Sequence, residues 1–306
     1  MRLLVKEEIT KSFLGSNQII TKSTLLHLRV PFSFFLLPVF LFALSDCQNI
    51  DIPKAILCFI ILHFLVFPSS NGYNSSQDKD TTSIGLLKNP PKITSDLYIL
   101  TVVLDLLAIT LGLFLSVTFS ILLAVFILMS RAYSYRKIRL KKNPIYSFLI
   151  VAFFQGGFIY LTTRVGVCDQ SIFKLLSSGS AIRGMAISSL FIGSIYPLTQ
   201  IYQHRSDRLD GVISLSFILG YTGSFLFSLI LFTGAAVLMF FHYYDMNYIK
   251  AFVLFSIIMI PVIVFFIYWH VKVKRDKGQA NYFNSMLMNF ITSLCMNTFF
   301  LILLFK

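Results

Sequence analysis

Two short stretches of this chain carry, in the same order, residue types that can hold a hard cation. One reads Pro68-Ser-Ser-Asn71-Gly-Tyr-Asn74-Ser-Ser-Gln-Asp78, and the other reads Pro197-Leu-Thr-Gln200-Ile-Tyr-Gln203-His-Arg-Ser-Asp207. In each, a proline is followed by one carboxamide, a second carboxamide and then an acid, at steps of three, three and four residues. A second acid, Asp80 or Asp210, lies just beyond. Steps of three and four residues share one face of a helix, so each cluster is expected to form a polar stripe. Carboxamide and carboxylate oxygens suit Mg2+, which takes one or two carboxylates together with waters and substrate phosphates. Two facing stripes would make a cage for a diphosphate bridged by magnesium. The plain alternative stays open. Asn and Asp are also cap and turn residues, and the stretch 69–83 reads equally well as a solvated loop.

The elements that must position these clusters are membrane helices. Of the 306 residues 56% are hydrophobic and 13% charged, with a mean hydropathy of +0.78, which leaves too little polar surface for a soluble domain. Long, nearly uncharged runs recur, each able to cross a hydrocarbon core of roughly 30 Å as a helix. They are too long and too uniformly apolar for barrel strands. The expected spans are about 30–44, 55–68, 97–129 (to be divided), 145–161, 181–200, 212–241, 251–270 and 282–305. The stretch 97–129 is long for one crossing and holds one charge, Asp105. Crossing once, it would send the most basic loop, Arg131 to Lys142, outside. Two short crossings with a turn near Gly112 keep that loop inside. The expectation is an all-α polytopic bundle of about nine transmembrane helices around a central cavity, with a cytoplasmic N-terminus. On that topology twenty Lys/Arg lie inside and five outside, leaving out Arg183 at the start of a span. Both clusters then fall at the cytoplasmic membrane surface. Residues 1–28 read as a cytoplasmic segment and 29–306 as the transmembrane domain. The first apolar run follows a long polar stretch and reads as a span rather than a cleaved signal peptide. A bacterial inner membrane is the expected location.

The net charge of +13 resides in short loops, and no nucleic-acid module is evident. Cys47, Cys58, Cys168 and Cys295 form no CxxC pair and no zinc-like spacing. Cys47 and Cys168 fall in connections on one, external, side, where a disulfide between them is open. Asp105 and Arg183 are the charges expected inside the membrane, where such groups usually face the bundle interior. His204 lies beside the second cluster and reads as a loop residue. No Ser/His/Asp set, Walker loop or GxGxxG is evident.

With these residues in view, the chain resembles the UbiA superfamily of intramembrane prenyltransferases. Those proteins have nine membrane helices and two Asp-rich motifs, NxxxDxxxD and DxxxD, after helices two and six. Ser70, Asn74 and Asp78 match the first motif; Gln203 and Asp207 match the second, followed by Gly211 and a run to Gly220 similar to the family's continuation. The stretch Ala132 to Pro144 is similar to a family segment after helix four that ends in Arg-Leu-Lys. Arg29-Val-Pro31 is similar to an Arg-x-Pro of the first helix. The resemblance runs from about Leu28 to the C-terminus. Ser and Asn stand where the first motif has Asn and Asp, and Gln replaces the leading Asp of the second, so each motif loses one negative charge.

The resemblance implies transfer of a prenyl group from a polyprenyl diphosphate to a membrane-associated lipophilic acceptor, with Mg2+ as cofactor. The metal ligands it implies are Asn74, Asp78, Gln203 and Asp207, with Asn71, Asp80, Gln200 and Asp210 as second choices. Arg139 and Lys141, then Lys88 and Arg136, are the diphosphate contacts, although positive-inside anchoring also explains these basic residues. Tyr133, Tyr135 and Tyr202 can stabilise a carbocation through their ring faces, although interfacial tyrosines are common. Two rivals stand beside this reading. One is a small lipid or anion transporter, against which the cluster position at a membrane edge counts. The other is a catalytically degenerate isoprenoid-binding member, which the amide substitutions favour. The acceptor, the prenyl length and the oligomeric state are not legible.

Overall fold

The computed structural model describes residues 20–79, 82–168, 170–209 and 211–305, with the backbone alone at 205 and 206. Asp80 and Asp210 lie outside the described residues, as does the side chain of Arg205. Among the described residues the regular elements are all helical. Helix α1 (Lys22–Leu28) and α2 (Leu37–Ser45) flank a 3-10 turn, Val30–Phe35. Then come α3 (Ile52–Asp78), α4 (Asp96–Gly112), α5 (Val117–Ser134), α6 (Pro144–Val167), α7 (Gly179–Gln200) and α8 (Leu215–Asp245). Helices α9 (Ile249–Ile258), α10 (Ile260–Arg275) and α11 (Tyr282–Leu304) complete the bundle. Among the described residues six helices (α3, α5, α6, α7, α8 and α11) are long and apolar enough to cross a bilayer, and the count reaches eight if each of two bent pairs, α1–α2 and α9–α10, is one span.

Local sequence explains the ends and breaks. Thr21, Asp51, Ser116, Asn143, Ser178 and Asn281 each accept a backbone N–H of the first turn of the following helix. Both bends fall at a proline, Pro38 or Pro261, at the start of the second helix, where the missing N–H interrupts the ladder. The divided stretch turns at residues 113–116, just past Gly112. A side chain at Gly112 would meet the Ser120 hydroxyl at 2.7 Å, so the hairpin closes tightly there. In α6, Gly156 lies against the α7 backbone: a Cβ on it would stand 2.6 Å from the Ser188 carbonyl oxygen. Burial is greatest along the bundle axis, while large side chains such as Phe114, Val117 and Leu128 face outward. An apolar exterior of this kind suits lipid.

Two polar knots hold the bundle. Asp105 of α4 receives the Ser69 hydroxyl (2.5 Å) and the Arg131 Nε (3.0 Å) and also pairs with the Arg131 Nη2. Arg131 reaches Thr101 and lies 3.9 Å over the Tyr73 ring, so α3, α4 and α5 are tied. At the far ends of α2, α6 and α8, Asp46 binds His242 (2.9 Å) and the Tyr160 hydroxyl, with Arg164 beside them. The adjacent Cys47 and Cys168 form a disulfide. Asp105 and Arg183, the two charges expected within the membrane, do not pair with each other; Arg183 reaches Asp245 (2.7 Å) and the Phe241 carbonyl.

Candidate functional site

Both clusters line a single cavity of about 290 Å³ at one end of the bundle. Asn71, Asn74 and Asp78 face Gln200, Gln203 and Asp207 there. The first cluster is one helical stripe, as expected: α3 continues past Pro68 to Asp78, its last residue. A π-helical turn at Ile61–Val66 precedes Pro68, whose ring nitrogen has no proton to donate backwards. Lys79 ends the helix in the left-handed region (φ 55°), its N–H on the Ser75 carbonyl.

The second cluster is not one helix face. Helix α7 ends at Gln200, a turn carries Gln203, and Asp207 lies on a separate short helix, His204–Leu209. The chain turns because His204 docks on α8, its Nε2 2.7 Å from the Ser216 hydroxyl and its ring stacked on Tyr221. Burial lowers the His204 pKa from its ordinary value. The Val212 N–H then closes back on the Asp207 carbonyl (2.8 Å).

The basic segment after α5 folds over the first stripe. Lys141 Nζ binds Asn74 Oδ1 (3.1 Å) and Asp78 Oδ2 together. Arg139 Nη2 donates to Asp78 Oδ1 (3.2 Å) from a left-handed backbone (φ 44°). The Ser134 hydroxyl donates to the same Asn74 oxygen (2.8 Å). These side chains are nearly buried: Asp78 and Arg139 are each 7% exposed and Lys141 10%. Arg136 instead caps the end of α3, donating to the carbonyls of Gln77 and Asp78, and neither it nor the exposed Lys88 lines the cavity.

Tyr133 and Tyr202 line the cavity and Tyr135 does not. Tyr133 shares the cavity wall with both Asp78 and Asp207. Its hydroxyl meets Ser147 (3.1 Å) and Tyr196 (3.2 Å), forming a hydroxyl triangle on the cavity wall. Neither Tyr196 nor Ser147 stood out in the sequence, because both lie in apolar spans. Arg29 also lines the cavity and holds the Asn71 carbonyl (3.1 Å); its Arg-x-Pro context was the available signal. Thr82, Ile84 and Gly85 close the cavity edge, with the Ser83 carbonyl 3.5 Å from Gln203 Nε2. Below the polar mouth, Phe35, Ile192, Ile195 and Asn289 line both this cavity and a smaller, mostly apolar one that ends at the stacked Phe42 and Phe300.

The charged groups described on the cavity wall are two cations, Arg29 and Lys141, and two acids, Asp78 and Asp207, and beside apolar side chains such a wall suits an amphiphile with a charged head. Among the described residues, no group of three or more His, Cys, Asp or Glu could hold a metal unaided. A cation at this site would need oxygens from its ligand as well.

Residues 32–291 match the model of the UbiA prenyltransferase family. No curated protein sequence matches the chain. Among solved structures, a UbiA homolog from Aeropyrum pernix K1 is similar, with 16% identity, a TM-score of 0.66 and coverage of 90% of this chain and 98% of that one. A UbiA homolog from Archaeoglobus fulgidus, bound to GPP and Mg2+, has 14% identity, a TM-score of 0.65 and coverage of 93% and 100%. A digeranylgeranylglyceryl phosphate synthase has 20% identity, a TM-score of 0.61 and coverage of 93% and 99%. At these identities the likeness is one of fold.

Proposed function

The chain belongs to the UbiA prenyltransferase family, and from that premise we propose that it moves a prenyl group from a polyprenyl diphosphate to a lipophilic acceptor at the membrane surface. The observation that carries the proposal is the shared cavity: both polar stripes, Lys141 and Tyr133 line it, and it shares wall residues with a second, mostly apolar cavity. We read the bundle as nine spans, the two bent pairs, α4 and the six long helices, with the cavity mouth and N-terminus on the cytoplasmic side. The charge asymmetry of the loops supports that orientation.

The barrier to transfer is ionisation of the allylic C–O bond, which leaves charge on the departing diphosphate. Lys141, set beside Asn74 and Asp78, is placed to meet that charge with a fixed ammonium in a site nearly closed to water. Arg29 adds a second cation on the cavity wall. The rings of Tyr133 and Tyr202 offer their faces to the allylic cation. The hydroxyl triangle of Tyr133, Ser147 and Tyr196 fixes the position of the first ring. Mg2+ suits the carboxamide and carboxylate oxygens of Gln203 and Asp207, completed by waters and diphosphate oxygens. Bound there, it would neutralise part of the leaving-group charge. Asn71 and Gln200 flank these contacts on the cavity wall.

The test is diphosphate release from labelled prenyl diphosphates by purified protein with Mg2+, across aromatic, sugar-phosphate and lipid acceptors. Release is expected from the wild type and is expected to fall at least about a hundredfold in Asp207→Ala. Prenyl diphosphate binding without release for every acceptor class would overturn transfer and favour an isoprenoid-binding, non-catalytic protein. The pairing of Asp78 with protein cations is the observation on that side.

A further inference from the structure

Below its mouth the cavity wall carries polar groups that the chain itself leaves unpaired. Gln155 lies at the middle of α6, a helix of 24 residues. At 1.5 Å per residue it stands roughly 16 Å along the helix from Pro144. It lines the cavity, and among the described residues its carboxamide makes no hydrogen bond. The helix is π-helical there (Phe153–Phe158), and the Gly157 N–H donates to the Ser189 hydroxyl of α7 (3.1 Å). The turn is thus tied to α7 while the Gln155 side chain is left to the cavity. Gly156 brings the same turn against Ser188 of α7, whose hydroxyl is buried with no hydrogen-bond partner and which lines the second, mostly apolar cavity. Asn289 of α11, 5% exposed, lines both cavities. Its Nδ2 donates to the Ser285 carbonyl (3.2 Å), which can only accept, so the amide is oriented and Oδ1 is its open end. Lipid offers such groups no partner, and a prenyl tail is all hydrocarbon, so a tail alone would leave them unpaired. The charged residues described on the wall, Arg29, Asp78, Lys141 and Asp207, lie on or against the stripes at the mouth.

We propose that Gln155, with Asn289, binds the acceptor, and that the acceptor is a neutral, hydroxyl-bearing lipophile, an alcohol or a phenol, rather than a carboxylate or a phosphate. The inference rests on the prenyl-transfer reading above and names the substrate class of that site. A hydroxyl both donates and accepts, as the Gln155 carboxamide does, and Asn289 Oδ1 needs a donor. A carboxylate brings acceptors only, and it would carry its charge below the mouth, away from Arg29 and Lys141. A site built to pair a hydroxyl rejects the analogue that lacks one, because its own polar groups are then left bare. Gln155 and Asn289 therefore select the acceptor by its hydroxyl and fix the depth at which it stands beneath the diphosphate.

The experiment uses three radiolabelled probes with one tail: para-octylphenol, para-octylanisole and para-octylbenzoate. Each is bound at equilibrium to purified protein with Mg2+ and the analogue geranyl thiodiphosphate. Affinities are read as wild-type to variant ratios in the same micelles, which cancels the partitioning of each probe. Gln155→Met, close to glutamine in shape, is expected to weaken para-octylphenol about tenfold, as the loss of a buried hydrogen bond implies, and to leave para-octylanisole unchanged. Asn289→Leu is a second variant expected to act in the same sense. Binding of geranyl thiodiphosphate by both variants, as by the wild type, reports that the fold is kept. Equal loss of para-octylphenol and para-octylanisole in both variants would overturn the inference, since the wall would then read shape and its amides would hold water. Tighter, Gln155-dependent binding of para-octylbenzoate would overturn it in favour of an anionic acceptor. A wild type that binds geranyl thiodiphosphate but shows no saturable para-octylphenol binding would overturn it and leave the diphosphate reading standing. Failure of the wild type to bind geranyl thiodiphosphate would overturn both.

Discussion

Replacing Asp105 by alanine tests how the bundle holds the first stripe. Asp105 and Arg131 are 12% and 18% exposed, so solvent screens them weakly. Breaking a buried pair by removing one partner costs about 3–5 kcal/mol, chiefly because the remaining charge is uncompensated. Arg131 would keep Thr101, the Ser69 hydroxyl and the Tyr73 ring, which argues for the lower part of that range, about 3 kcal/mol. Replacing both partners by apolar residues of similar volume, Asp105→Leu with Arg131→Met, is expected to recover most of the loss. The assay is reversible unfolding in mixed micelles for the two single variants, the double variant and the wild type, as a double-mutant cycle. Ser69 and Tyr73 share α3 with Asn74 and Asp78, so the single variants are also expected to bind geranyl thiodiphosphate less tightly. Singles costing under about 1 kcal/mol, or a double variant as unstable as the sum of the singles, would refute the reasoning.

Gly156→Leu is expected to drive α6 from α7 and to cost about 3 kcal/mol or more in the same unfolding assay, since the added carbons meet backbone rather than a flexible side chain. Reduction, or Cys47→Ser with Cys168→Ser, is expected to lower stability by about 2–4 kcal/mol, while denaturing, non-reducing alkylation is expected to label two thiols in the wild type and one in Cys58→Ser. Lys79→Gly is expected to stabilise the end of α3 by up to about 1 kcal/mol, because glycine accepts the left-handed cap without steric cost. Asp276 lies between α10 and α11. The Gln279 side chain and then the Gly278 N–H hold its carboxyl below the usual range. The turn's stability is present above the ordinary carboxylate pKa and lost as pH falls through the lowered value. Protection of the Gly278 amide, relative to its intrinsic exchange rate at each pH, is expected to fall there.

Where hydrophobic runs and charge parity met, the sequence was a good guide. The division of 97–129 near Gly112 and the inward-facing Asp105 follow from them. Both bends needed tertiary information, because Pro38 and Pro261 sit where a proline is also tolerated as an ordinary helix start. The second cluster was harder: its spacing fits a helix face, but the docking of His204 on α8 breaks the helix after Gln200. The hydroxyl triangle was invisible, since Tyr196 and Ser147 sit in runs that read as membrane filler. Lys141 was visible as a phosphate contact, but its seat against Asn74 and Asp78 depends on the chain reversal at Arg139, which side-chain spacing cannot reveal.

The account turns on a single ligand touching both stripes. Single-cysteine variants Asn71→Cys and Gln200→Cys, each modified by a small charged thiol reagent, measure that directly when geranyl thiodiphosphate is titrated in with Mg2+. One occupied cavity predicts that both thiols are protected, with the same half-protecting concentration. Protection of one thiol alone, or at clearly different concentrations, would mean that the stripes serve separate environments.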